Sequence, residues 1–290
     1  MRIALITTAP TFNEAKRIQE EVKNLGHEPI LIDLSKSSFV IENGNIDLNP
    51  LSTLNANLVI VRGVFQFIKE LVPFIEYWRK KGIKVFDNNL VGHKYAINKV
   101  VDIIQLGLNG VKTPKTCYSR NFDDFYKFAE ELNYPFILKN TNKGKGAGVY
   151  KIDSKENLEE IIRISLEAGK KANGFLLQEF IKYVHDLRVL IIGENVYAMK
   201  RIPKKGEFRA NFSLGGDVEI FEIDEEIKSF AMNALKILNM SVAGVDVLIA
   251  EDDQKYILEV NHTPGFTGME LAQKQNIGIK FVEHAIKNAI

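Results

Sequence analysis

Hydrophobic and polar positions along the chain switch repeatedly between a strand-like and a helix-like period. RIALITT (2–8) is an apolar strand pattern, a 3.6-residue pattern follows over about residues 13–25 and stops at Gly26, and EPILIDL (28–34) reads as a strand again. NLVIVRG (57–63) and IKVFDN (83–88) read as two further buried strands around a helix over about 65–81 closed by Gly82. Strands apolar on both faces and separated by helices predict a small parallel α/β unit ending near residue 92.

A helix over about 90–106 leads to VKTPKTCYS, a helix near 122–132, the strand YPFILKN, a glycine-rich loop, the strand GVYKI and a helix near 155–168. This is a compact α+β unit with a loop at its tip. From GFLLQEFI onward, DLRVLIIG and NVYAMKRI are joined by the turn GEN, and a basic stretch, a helix over about 224–239 and a hairpin over 245–262 follow. The helix sets Ile227, Phe230, Ala231, Ala234, Leu235 and Leu238 on one stripe, so it is expected to cover a sheet. The division expected is residues 1–92, 93–175 and 176–290, in the α/β and α+β classes. No G-x-G-x-x-G follows the first strand, so the first unit is expected to be Rossmann-like in shape without a dinucleotide site.

Composition narrows the classes. Lys and Arg total 38 against 37 for Asp and Glu, which gives no long-range attraction toward nucleic acid or a membrane surface. The single cysteine, Cys117, excludes an intramolecular disulfide, and the five histidines show no zinc spacing with it. With no signal-peptide core and no apolar run of about 18 residues, a cytoplasmic protein is expected, with no nucleic-acid and no membrane partner.

Candidate chemistry begins in VDVLIAEDDQKYILEVNH. With Asp252 and Asp253 as a two-residue turn, Glu251 faces Gln254 and Asp246 lies opposite Glu259. That register puts Val245, Val247, Ile249, Tyr256, Leu258 and Val260 on one apolar face, and Asp246, Leu248, Ile257, Glu259 and Asn261 on the other. Two carboxylates that close repel unless a cation sits between them, and Mg²⁺ suits a set of carboxylate and amide oxygens. The alternative is a solvated polar face with one carboxylate protonated or paired to a lysine.

Three other segments bear on phosphate binding. Lys139 ends an apolar strand and precedes NTNKGKGAGVY, a loop whose amides and ammonium groups can lie over a polyphosphate. It lacks the Walker A pattern and joins two strands, so it reads equally as a soluble hairpin loop. In FLLQEFI, Gln178, Glu179, Phe180 and Ile181 can offer backbone groups to an adenine edge and a carboxylate to an amino group or ribose. KRIPKKGEFRANFSLGG sets Lys200, Arg201, Lys204, Lys205 and Arg209 within ten residues, either a solvated face or guanidinium groups for phosphate or carboxylate.

Taken in order, QEFI with DLRVLIIG, KR with GEFRANFSLGG, AGVD, and LEVNHTPGFTGME resemble the ATP-grasp superfamily, and within it the RimK-type carboxylate-amine ligases that include α-L-glutamate ligases. The resemblance covers most of the chain. It implies an ATP-grasp fold behind an N-terminal Rossmann-like (pre-ATP-grasp) domain. It implies that Lys99 and Lys139 reach the ATP phosphates and that the loop with Lys143, Gly144, Gly146 and Gly148 closes over them. Gln178, Glu179, Phe180 and Ile181 would line the adenine and ribose pocket, with Asp186 and Arg188 beside it. Arg201, Arg209 and Asn211, with Ala210 between the last two, would face the triphosphate and the acyl phosphate, and Asp246, Glu259 and Asn261 would hold Mg²⁺, with Mn²⁺ as a substitute. The implied activity joins L-glutamate or a similar amino acid to a carboxylate-bearing acceptor, a protein C-terminus or a cofactor tail, in a chain that is a candidate homo-oligomer. Alternatives are a lysine- or arginine-biosynthesis ligase acting on an amino-group carrier protein, a nucleotide sensor and a phosphotransferase. EVNHT followed by PGFTGME mixes the tails of two subfamilies, and NKGKGAGVY is richer in lysine than the family's serine-glycine loop. Arg62 and Gly63, after a strand, are candidates for acceptor contacts, with a structural salt bridge as the alternative for Arg62. Cys117 is expected to be a half-buried strand residue, and His262 either a structural residue or a contact near the site.

Overall fold

A computed structural model describes the chain except for residues 44, 50, 52, 53, 65, 66, 87–97, 142–147, 208 and 211–215, and the side chains of residues 48, 68 and 69. The first elements are β1 (Arg2–Thr7), α1 (Asn13–Asn24), β2 (Glu28–Asp33), the hairpin β3 (Ser38–Glu42) and β4 (Asn45–Asn49), β5 (Leu58–Val61), α2 (Ile68–Lys80) and β6 (Lys84–Phe86). The strands β2-β1-β5-β6 form a parallel sheet in that order, with Leu5 level with both Leu31 and Ile60. Both faces are buried, as continuous apolar runs require. Ala4, Ile6 and Val59 pack under Leu71, Ile75 and Trp78 of α2. Ile3, Leu5 and Ile60 pack against Ile18 and Val22 of α1. The hairpin β3-β4 escaped the sequence reading, although the Asn43-Gly44 pair between two runs is a hairpin signal; Asn43 takes φ +50°.

Next come α3 (Lys99–Leu108), β7 (Thr116–Cys117), α4 (Asp123–Leu132), β8 (Phe136–Asn140), β9 (Val149–Ile152), α5 (Lys155–Glu167) and β10 (Phe175–Glu179). The Asn98 side chain caps α3 by accepting from the Val100 amide, so the helix starts there; the first part of the 90–106 expectation lies outside the described residues. The antiparallel sheet β7-β10-β8-β9 packs Phe136, Phe175 and Leu177 under Phe125 of α4 and Leu158 of α5. Buried Cys117 belongs to that core, and burial raises its thiol pKa.

The remaining elements are β11 (Tyr183–Ile192), β12 (Asn195–Ile202), β13 (Asp217–Ile220), α6 (Glu225–Ile237), β14 (Val242–Ala250), β15 (Lys255–Asn261), α7 (Thr267–Gln273) and α8 (Ile277–Asn288). Their antiparallel sheet runs β13-β12-β11-β14-β15. The expected stripe of α6 covers one face through Leu187, Val189, Val245 and Val247, with Phe230 only partly buried at its margin. On the other face Leu190, Ile192, Met199 and Val242 meet Phe266, Phe281 and Val282, and this same cluster holds Ile3 and Leu5 of the first sheet. Helix α8 therefore joins the two ends of the chain through one core.

The last hairpin departs from the expected register in two places. Its turn has three residues, Glu251 to Asp253: Ala250 donates to the Gln254 carbonyl at 2.9 Å, and Asp253 takes φ +61°. The pairing near the turn is thus Val247 with Ile257 and Leu248 with Tyr256, one step from the expectation. A bulge between Asp246 and Val247 then absorbs the extra residue, Leu258, so that Asp246 still faces Glu259 and Val245 still faces Val260. As a result Ile257 lies in the α6 core instead of on the polar face, while Tyr256 and Leu258 pack with Leu248 and Ile181 instead of in that core.

Candidate active site

Alternation along β11, β12, β14 and β15 places a row of charges on one sheet face. Arg188 faces Met199 on one side and Asp246 on the other, Asp246 faces Glu259, and one step along Asp186 faces Arg201. Nearer the core the same face carries Leu190, Ile192 and Val242, so each strand changes from apolar packing to charge within a few residues.

The charges are nearly closed off from water: Asp186, Arg201 and Asp246 are 7, 5 and 3% exposed. Arg201 donates Nε to Asp186 Oδ1 at 2.7 Å and Nη1 to Asp246 Oδ2 at 3.1 Å, and Arg188 donates Nη2 to Asp246 Oδ2 at 3.0 Å and Nε to Oδ1. Burial alone would raise the Asp246 carboxyl pKa, but Arg188 and Arg201 together overcome it and hold that pKa below the usual carboxylate range. Asp186, with Arg201 working against the same desolvation, is left above its ordinary value. Gly244 gives Arg188 its room: a Cβ there would stand 2.9 Å from Arg188 Cδ and 3.0 Å from Pro264 Cβ.

A cleft with about 760 Å³ of empty space, part of it open to solvent, separates this sheet face from the sheet β7-β10-β8-β9. Its walls carry the apolar side chains Ile137, Val149, Leu248 and Leu258, the strap Gln178 to Ile181, and the charged groups Lys99, Lys139, Asp186, Arg201, Asp246 and Glu259. Lys139 Nζ donates to Gln178 Oε1, and buried Gln178 passes a bond from Nε2 to Thr116 Oγ1 at 3.0 Å. Desolvation lowers the Lys139 pKa to about 8, opposed by Glu259. Lys99 Nζ lies 3.1 Å from Glu259 Oε2. Glu179 has one carboxylate oxygen on the Lys115 amide at 3.3 Å, and the Phe180 ring has Lys151 Nζ 5.2 Å from its centroid.

Other expected site residues sit elsewhere or at the margin. Asn261, on the face of Asp246, accepts through Oδ1 from the Thr263 amide at 3.0 Å. Arg209 pairs with Glu207 at 2.6 Å, and Ala210 is buried. Gly148, with φ +74°, ends the glycine-rich loop where its carbonyl accepts from the Asn140 amide. Lys143, Gly144, Gly146 and Asn211 lie outside the described residues. Sequence reasoning missed Asp102. Its carboxylate meets His262 Nε2 at 2.8 Å, both side chains buried, so α3 one turn after Lys99 is tied to the residue that follows β15. A carboxylate within KVVDIIQLGL, an otherwise apolar helix, was the available signal.

The donor set admits a hard divalent ion. Of the roughly four lone-pair directions of a carboxylate, Asp246 uses three on the two arginines, which leaves one on Oδ1; Glu259 adds a second carboxylate and Asn261 an amide oxygen.

This cleft between two antiparallel sheets, behind a parallel α/β domain, defines an ATP-grasp ligase fold. Residues 96–285 match the RimK-like ATP-grasp domain, and the chain belongs to that family of ATP-dependent ligases. A relative from Teredinibacter turnerae, described as "Probable alpha-L-glutamate ligase", is 30% identical over 297 residues, covering 100% of this chain and 96% of the relative. One from Pseudomonas putida with the same description is 28% identical, covering 99% and 96%. Among solved structures, the ATP-grasp ligase PsnB complexed with its minimal precursor superimposes with a TM-score of 0.71 at 21% identity, covering 98% of both chains. The macrocyclase MdnC from Microcystis aeruginosa, bound with its precursor peptide, gives 0.71 at 16% identity, covering 99% and 100%. Among the described residues no helix is long and apolar enough to cross a membrane.

Proposed function

We propose that the protein joins L-glutamate to a carboxylate-bearing acceptor, forming an amide through an acyl phosphate at the expense of ATP. The observation that carries this reading is the cleft, whose walls combine apolar side chains with three cationic groups and three carboxylates, Lys99, Lys139 and Arg201 with Asp186, Asp246 and Glu259, while Arg188 holds Asp246. The adenine packs on the apolar side chains of the cleft, bordered by Gln178, Glu179, Phe180 and Ile181, and residues 93–175 and 176–290 are the two lobes around it. Asp246, Glu259 and Asn261 hold Mg²⁺, with Mn²⁺ as a substitute, which when bound neutralises and orients phosphate oxygens.

The chain's own groups carry the remaining work. A carboxylate attacking the γ-phosphate brings two anions together, so Lys99, Lys139 and Arg201 offset that repulsion in a water-poor cleft. Asp186 fixes the Arg201 guanidinium before substrate arrives, and the His262–Asp102 pair fixes the helix that bears Lys99. The family resemblance assigns cover of the phosphates to the loop with Lys143, Gly144, Gly146 and Gly148 and contact with the acyl phosphate to Arg209, Ala210 and Asn211; the amine attacks that acyl phosphate with release of phosphate. Curated relatives described as glutamate ligases support glutamate as the amine, and neighbours bound with precursor peptides support a peptide acceptor.

The test is ADP release by the purified protein with MgATP and L-glutamate, with and without a C-terminal glutamate peptide, a cofactor ending in a carboxylate and a carrier-protein peptide. Acceptor-stimulated release with a mass gain of glutamate less water supports the proposal. Release without an amine indicates a phosphotransferase, and nucleotide binding without turnover a sensor.

A further inference from the structure

The parallel sheet has a topological switch point of its own. In the order β2-β1-β5-β6 the chain leaves β1 toward one edge and β5 toward the other, and the gap beyond the carboxyl ends of these two strands is where open α/β sheets bind ligands. Thr7 ends β1 and Thr8 follows it, Arg62 and Gly63 follow β5, and Thr8 Oγ1 donates to the Gly63 carbonyl at 2.6 Å. Glu14 projects from the first turn of α1, immediately after β1.

Among the described residues, two opposite charges stand here without a direct ion pair. The Arg62 guanidinium lies 4.7 Å from the centroid of Phe266 and 4.9 Å from that of Phe281, and Nη2 donates to the Pro264 carbonyl. Among the described residues no carboxylate lies within 4 Å of it; Glu14 acts on it only at longer range. Burial without a counterion lowers its pKa to about 10. Glu14 in turn packs on Gly265, where a Cβ would stand 2.6 Å from Oε1, and none of the hydrogen bonds or ion pairs described involves its carboxylate. Both groups border the Pro264-Gly265 turn, yet the aromatic stack and the Pro264 carbonyl hold Arg62 away from Glu14. The turn also touches the active site, because Pro264 Cβ packs over Gly244 beside Arg188, the partner of Asp246.

We infer that Arg62 and Glu14 form the subsite for the amino-acid substrate, Arg62 receiving a carboxylate and Glu14 the α-ammonium group. A zwitterion carries the two charges that this pair lacks, at a separation that direct pairing would close. The assignment deepens the ligase reading and rests on an amino acid being the amine. As whole residues Arg62 and Glu14 are each partly exposed, and the Arg62 guanidinium itself is enclosed by Phe266, Phe281 and the Pro264 carbonyl.

Calorimetric titration of the full chain with L-glutamate and with glutarate, which lacks the ammonium group, tests it. Wild type is expected to bind L-glutamate at least tenfold more tightly than glutarate. Arg62→Gln is expected to lose at least tenfold for both. Glu14→Gln is expected to weaken L-glutamate alone and abolish the discrimination; because Glu14 makes no described hydrogen bond, this variant decides the matter even where Arg62→Gln fails to fold. Absence of saturable L-glutamate binding by wild type, or binding by both variants within twofold of wild type, overturns the subsite. MgATP titration and ADP release run alongside. Glutamate binding that depends on both residues, without acceptor-stimulated ADP release, removes the ligase reading and leaves the subsite. Turnover with unaltered glutamate binding in both variants does the reverse.

Discussion

Asp246→Asn and Glu259→Gln both remove a carboxylate from the charged row, and both are expected to abolish turnover, yet their effects on stability differ. Asp246 is 3% exposed and is the anion on which Arg188 and Arg201 converge. Neutralising it leaves only Asp186 as a carboxylate partner of buried Arg201 and none for the partly buried Arg188, and breaking a buried pair from one side costs about 3–5 kcal/mol. Glu259 pairs with Lys99 where the two side chains are 29 and 25% exposed, so its loss costs below about 1 kcal/mol after solvent screening. At roughly 2–4 °C per kcal/mol for a chain of this size, ligand-free Asp246→Asn should melt roughly 6–20 °C below wild type, and Glu259→Gln within a few degrees. The pH dependence has a definite sign. The Asp246 pKa is depressed by folding, so its contribution is present above the ordinary carboxylate pKa of about 4 and is lost as pH falls below it. Scanning calorimetry at pH 7 without nucleotide is the assay. Equal melting of the two variants, or an Asp246→Asn protein as stable as wild type, would refute the view that this carboxylate anchors the arginines.

Val247→Asp buries an unpaired charge beneath α6, where Val247 is fully buried, and should leave no cooperative transition by urea unfolding; ordinary surface behaviour would mean that the register is wrong. Lys139, with its pKa lowered to about 8, should lose charge as pH rises through that value, so ATP affinity measured by titration should weaken above pH 8 in wild type and stay flat in Lys139→Arg. That depressed pKa also means that its destabilising effect is full below pH 8 and relieved between about 8 and 10.4. Gly244→Ala forces Arg188 or Pro264 aside, at about 1–3 kcal/mol, and should lower kcat/KM by about tenfold or more; wild-type kinetics would show that the position of Arg188 does not matter.

Much of the charged row was legible because a strand shows which residues share a face: Asp186 with Arg188, and Asp246 facing Glu259, follow from alternation. Two local errors cancelled there. The turn takes three residues because Asp253 adopts a left-handed conformation, and the bulge at Leu258 restores the step before Asp246; neither Asp-Asp nor Leu-Glu announces this, since both depend on how the strand packs against its neighbours. The double grip on Asp246 was hidden for another reason. Arg188, Arg201 and Asp246 come from three strands, and only the order β12-β11-β14 brings them together. The same holds for Asp102 with His262, 160 residues apart. Arg62 was visible as a residue after a strand, but its aromatic stack needs Phe266 and Phe281 from the far end of the chain.

The shared core of α8 and the first sheet has a consequence for synthesis. Leu5 and Ile3 leave the ribosome well before Phe281, which covers the same face and follows about 275 residues later. At about 5–20 residues per second that interval is roughly 15–55 s, during which that face of the parallel sheet lacks the α8 side chains that complete its cover. The nascent chain, with that apolar face open, is therefore the species most exposed to aggregation, and slower translation lengthens its exposure.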